Sequence, residues 1–356
     1  MTHSPFSPSS LKRVREAAGV VQDPSRQVFN FFIGTLALRV FSFVWLFWTV
    51  RKFQLLLQRP PELFWQLHQL PRLLMPTLPG EWLFYCIAGL AVALNGYLLV
   101  RARNQTLPQA LLAVCLLWLN LPQWGYGILS HVNHTFLLAH LFLIFIPVNR
   151  ASLSLPDHYL SKSIQWYYAG ILFTYTLAGL WKIPALLYKL VIASPDMTWL
   201  HPDAALSNAF VSFRNYDLAF ETTPFFTVFP VFWQASFVLA VYLQSVSVFA
   251  AFRQPLRPWI GLFLVLFHVM NMVAFQTFFV VATVVVLCLF IPYDAMFPRL
   301  FHQRQNGSVP KPYISLYSSA FDGFRFKILQ KHFYLAGLLY FPGVHTLAKT
   351  FLRSRN

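Results

Sequence analysis

Apolar residues run along this chain in long blocks that lack the polar face of a soluble helix. They cover about residues 28–50, 81–100, 107–122, 134–148, 164–182, 226–252, 258–275 and 277–293. A spanning helix needs about 20 such residues, and tilted or paired ones manage with fewer. The pattern predicts an all-α integral membrane protein, a bundle of about eight transmembrane helices. The last two blocks nearly fuse, and a straight helix of their combined length would overshoot a bilayer, so a break is expected near Gln276-Thr277. Blocks three and four are expected to be short, since Pro108 to Pro122 rises only about 22 Å. Their connection carries Gln123, Trp124, Tyr126, His131, Asn133 and His134. It should lie below the outer surface, where irregular backbone is tolerated only if it is buried in protein or lines a cavity. A pocket mouth is expected there.

Three regions follow: a basic arm (1–27), the bundle (28–293) and a basic tail (294–356). In the arm, Leu11–Arg15 is followed by Asp23, Pro24 and Arg26 before any apolar run, an order that fits no cleavable signal peptide. With the arm in the cytoplasm, Arg101, Arg103, Arg150, Lys162, Arg253, Arg257 and the tail all fall inside. The turn 123–133, without Lys or Arg, falls outside. Arg51, Lys52, Arg59 and Arg72 run against the rule, beside a stretch 59–80 expected to lie along the interface. Both termini are therefore expected in the cytoplasm. In the tail, the apolar stretch 333–342 is too short to span.

Composition narrows the classes of function. Of 356 residues, 57% are hydrophobic and 11% charged, against roughly one-quarter charged in a soluble domain. The 38 Phe and 11 Trp suit lipid contact and interfacial belts. A net charge of +16 fits basic loops facing anionic lipid. No nucleic-acid partner is expected, because no basic cluster is interleaved with stacking aromatics in a soluble module. Cys86, Cys115 and Cys288 lie within apolar runs without CxxC spacing, so packing is expected rather than disulfides or zinc. GxSxG, Walker, HExxH and HxxHH patterns are absent, which removes common hydrolase, nucleotide, zinc-protease and di-iron readings.

Four features carry candidate chemistry, because ionisable groups inside spans are expensive and face the bundle interior. They are Arg39 in mid-block, Ser130–Thr135 with His131 and His134, Tyr175–Lys182, and His268 with Asn271. Each also has a structural reading: Arg39 paired with carbonyls or a carboxylate, histidines capping a helix, Lys182 snorkelling to headgroups, and His268 as a hydrogen-bonded core residue. Topology favours function. His134 opens block four, Lys182 closes block five, and His268 lies about two turns from the outer end of block seven, so three helices bring them to one side. A desolvated lysine near an imidazole is a candidate neutral-amine base. Asn133, His131, Asn271, Tyr175 and Arg39 are the accompanying candidates for holding substrate or cofactor.

Arg39, Asn133-His134-Thr135, Ala178–Lys182 and Phe267–Asn271, in that order, resemble the motifs of the horizontally transferred transmembrane domain family. That family includes the membrane part of vitamin K-dependent γ-carboxylase, and the resemblance covers about residues 28–293. It implies a quinol-dependent carboxylase- or oxygenase-like enzyme. Lys182 would be the base acting on a reduced quinone, vitamin K-type or another membrane quinol, with O2 as oxidant and CO2 where carboxylation follows. The resemblance makes His134 the residue that orients the substrate carbanion and puts His268 beside the quinone. The implied partners are the lipid bilayer, membrane quinone and a secreted peptide substrate. This sequence departs from the carboxylase pattern at Trp181, where the carboxylase has a second lysine, and at Ile183-Pro184, where an acidic residue is expected. It also lacks a large portion after its helices. Two other readings are an accessory protein for maturation or export of a small secreted peptide, and a non-catalytic hydrophobic-ligand binder.

Overall fold

A computed structural model describes residues 23–64, 73–101, 106–127, 133–146, 157–192, 198–215, 220 and 223–299. These are helical, with no strand among the described residues. In chain order the elements are α1 (Pro24–Leu56), α2 (Glu81–Arg101), α3 (Thr106–Gly125), α4 (His134–Leu143), α5 (Asp157–Val191), α6 (Ala204–Asn215), α7 (Thr223–Thr227), α8 (Pro230–Val246), a 3-10 extension (Ser247–Phe252), α9 (Arg257–Phe275), α10 (Val280–Phe290) and α11 (Tyr293–Met296).

Six helices are long and apolar enough to cross a membrane: those beginning at Pro24, Glu81, Thr106, Leu160, Pro230 and Gln254. Helices α4 and α10 are shorter, 10 and 11 residues. Each expected block is helical, but some bounds differ. Block three is not short. It forms the 20-residue α3, because Pro122 lies in its last turn, where the missing N–H removes a single bond. The chain then turns at Gly127, φ 74°. Nor does Lys182 close its helix. Strong helix formers after Pro184, including Ala185, Leu186, Leu187 and Lys189, carry α5 on to Val191. Block 226–252 breaks before Pro230, which occupies the first turn of α8.

Helix α1 starts where Asp23 accepts from Ser25 N (2.9 Å) and Arg26 N (3.3 Å), with Pro24 behind it. Its buried stripe, Phe31, Leu38, Trp45 and Phe53, meets Tyr167 of α5 edge-on at 5.0 Å and stacks on Phe84 of α2 at 3.7 Å. Two polar clamps fix one end of the bundle. Asn30 exchanges hydrogen bonds with Asp294 (2.6 and 2.7 Å), and Gln27 Nε2 donates to Ser161 O (2.7 Å). At the opposite end a second core, Ala205, Ala209, Phe226, Trp233 and Ala274, ties α6 and α7 to the start of α8 and the end of α9. Large apolar side chains face outward on the spans, such as Phe47 (64% exposed) and Trp82 (81%). Cys115 packs inside as expected, whereas Cys86 is exposed.

Candidate functional site

The interior carries polar layers stacked along α1. Arg39, Ser42 and Trp45 lie three residues apart, hence on one face, and each meets a polar partner. Arg39 Nη2 donates to Gln109 Oε1 (2.9 Å), Gln109 Nε2 donates to His140 O (2.7 Å), and Asn95 Nδ2 donates to Arg39 O (2.8 Å). Ser42 Oγ meets His140 Nε2 at 2.9 Å and also donates its one proton to Leu38 O at 2.8 Å. The imidazole must then be the donor at Nε2, which leaves Nδ1 as a buried acceptor. In the next layer Trp45 Nε1 donates to Asn133 Oδ1 (3.2 Å), and Asn133 Nδ2 donates to Asn120 Oδ1 (2.7 Å). Arg39 and Asn133, both singled out from the sequence, thus belong to this framework. Asn133 is fixed just before His134, whose ring lies edge-on to Trp124 at 5.6 Å.

The reactive layer lies between α5, α9 and α10. His268 is 4% exposed, its Nδ1 is 3.0 Å from Thr283 Oγ1, and Thr283 in turn donates to Phe279 O at 2.9 Å. By the same proton count, His268 donates from Nδ1 and carries its lone pair on Nε2. Phe279 stacks on the imidazole at 5.2 Å, and the Tyr175 ring lies 5.7 Å away on the other helix. Tyr175 faces Thr135, the residue after His134. So Tyr175, chosen from the sequence, is the link between the segment of His134 and His268. Asn271 is turned away: its Nδ2 donates to Phe267 O in its own helix at 2.7 Å. His131 lies outside the described residues.

Lys182 sits seven residues beyond Tyr175, on the same face of α5 and about 10 Å further along the axis. Its Nζ donates to Ala178 O and to Gln244 Oε1, each at 2.9 Å, rather than to an imidazole. Above it, Trp199 Nε1 donates to Lys182 O (3.0 Å) and Gln234 Nε2 to Leu200 O, strapping the segment after α5 across α5 and α8. Gln109, His140, Asn95, Asn120, Gln244 and Trp199 were not singled out from the sequence. Their one signal is a polar group in an apolar block, which does not say which helix it meets. Among the described residues no group of three or more His, Cys, Asp or Glu could hold a metal ion. The layer can hold a flat ring, offer an imidazole lone pair and hydroxyls to its oxygens, and present an amine nearby.

No family model, curated protein or solved structure matches this chain.

Proposed function

We propose that the chain is a multi-pass membrane protein of about eight helices with both termini in the cytoplasm, and that it binds a reduced membrane quinone between α5, α9 and α10. The observation that carries this reading is the fixed imidazole of His268. It is stacked on Phe279, pinned through Nδ1 to Thr283, and faces Tyr175 with its Nε2 lone pair uncommitted by that bond. The residues fit such a ring, since aromatic faces match its plane and the polar groups of His268, Tyr175 and Thr135 match its oxygens.

When bound, the quinol would supply an acidic hydroxyl and reducing equivalents, with O2 as the oxidant. Lys182 is the base in this proposal and takes a hydroxyl proton on Nζ. His268 orients the ring, and the strap of Trp199 and Leu200 excludes water. The segment bearing Asn133 and His134 borders the place where a substrate from the outer side is modified, by carboxylation with CO2 or by other proton-abstraction chemistry. This reading keeps the likeness to the horizontally transferred transmembrane domain family as its supporting analogy.

Lipid extraction of protein purified anaerobically in mild detergent tests it. Wild type should release about one quinone per chain and His268→Leu less than about one-fifth of that, a loss of roughly 1 kcal/mol of binding or more. Equal release from both, or none from wild type, would contradict the site and favour peptide maturation or another hydrophobic ligand.

A further inference from the structure

We propose that Gln244 is a positioning residue for Lys182: its side-chain oxygen and the Ala178 carbonyl each hold one N–H of the amine and so set where its lone pair points. The inference rests on Lys182 acting as a base. A neutral amine has two N–H bonds and one lone pair in a tetrahedral arrangement. Both acceptors are 2.9 Å from Nζ, so with both N–H bonds taken, the lone pair is confined to the remaining direction.

The acceptor is itself immobile. Gln244 is 3% exposed and sits in the last turn of α8, where the helix tightens into its 3-10 extension. Directly below, Ser247 Oγ bonds Thr176 Oγ1 (3.0 Å) and donates to Leu172 O (3.2 Å), and Val248 N donates to Thr176 Oγ1 (3.1 Å). These bonds form a polar seam along one face of α5, through Leu172, Thr176, Gly179 and Lys182. Gly179 lets α8 approach. A Cβ there would lie 2.6 Å from Ser245 N and 2.8 Å from Gln244 Cβ. The close approach is what brings the Gln244 amide within reach of the lysine. An amide oxygen accepts from the amine without adding the negative charge with which a carboxylate would favour the ammonium form.

The test uses the full chain in mild detergent and a limiting amount of an acetyl N-hydroxysuccinimide ester. Acetylation needs the lone pair: an N–C bond forms, the ester C–O bond breaks, and the amine proton passes to water. Peptide mass spectrometry then reads Lys182 labelling against Lys189. Gln244→Glu keeps size and acceptor but adds charge, so labelling should fall about tenfold or more. Gln244→Met removes the acceptor at nearly constant length. Its labelling should rise above wild type, while kcat for quinol-dependent oxygen uptake falls and the quinone KM holds. Equal labelling in all three proteins overturns the proposal, as does a Gln244→Met enzyme with wild-type kcat. If the charged variant does not fold, the comparison of Gln244→Met with wild type decides alone. If wild type takes up no oxygen, the quinol reading fails, and the labelling order still decides whether Gln244 governs the amine.

Discussion

A methyl group on Gly179 would press on backbone nitrogen, 2.6 Å from Ser245 N, which no rotamer change can relieve. Gly179→Ala should therefore cost about 1–3 kcal/mol, read as a lower Tm in detergent, and should loosen the Lys182–Gln244 bond. An unchanged Tm would mean that the two helices are not held this close. Gly179 was legible from the sequence as a small residue beside Lys182, since small residues mark close helix contacts. Its partner was not, because Gln244 stands in an apolar block whose facing helix no local pattern names. The same holds for Arg39. Its burial was readable, but the Gln109 and His140 that surround it come from two other helices.

Between α9 and α10 the chain breaks at Gln276, at φ 50° and ψ 29°, with Gln276 N and Thr277 N both closing onto Asn271 O. The break was expected near Gln276-Thr277 because the two blocks together exceed a bilayer, and it is this break that carries Phe279 and Thr283 onto His268. A side chain in the left-handed region is strained. Gln276→Gly should leave stability unchanged or raise it by up to about 1 kcal/mol, and Gln276→Val should lower it further than any neighbouring substitution. Chemical denaturation in mixed micelles measures both. Element existence was readable from the apolar blocks, whereas element ends were not. Pro122 and Pro184 both read as boundaries, yet each sits inside its helix. The fate of a helix at proline depends on what packs beyond it, and beyond Lys182 that is the Trp199 strap.

At the scale of the whole molecule, the helices alternate in direction, so the ends of α1, α3, α5 and α9 and the starts of α2, α4, α8 and α10 share one face. That alternation is what gathers Lys182, Tyr175 and His268 near each other from distant parts of the sequence. It also orients the chain under the proposed topology. In a cysteine-free background, Thr2→Cys and Arg355→Cys should react with a membrane-impermeant maleimide only after permeabilisation, and Phe210→Cys in intact cells. Labelling of either terminus in intact cells would reverse the orientation and put the reactive layer toward the cytoplasm. The gathering of these residues was expected from the sequence, but its form was not: Tyr175 bridges the histidine segments, and the amine turns to Gln244.

The central claim is that Lys182 is a base acting on a reduced quinone, and its most direct test is oxygen uptake on adding reduced quinone to anaerobically purified protein. Wild type should consume oxygen, and Lys182→Ala, folded to the same Tm within a few degrees, should lose at least about 100-fold in rate, the lower range for general base catalysis. Uptake that survives in Lys182→Ala at the wild-type rate would contradict the account.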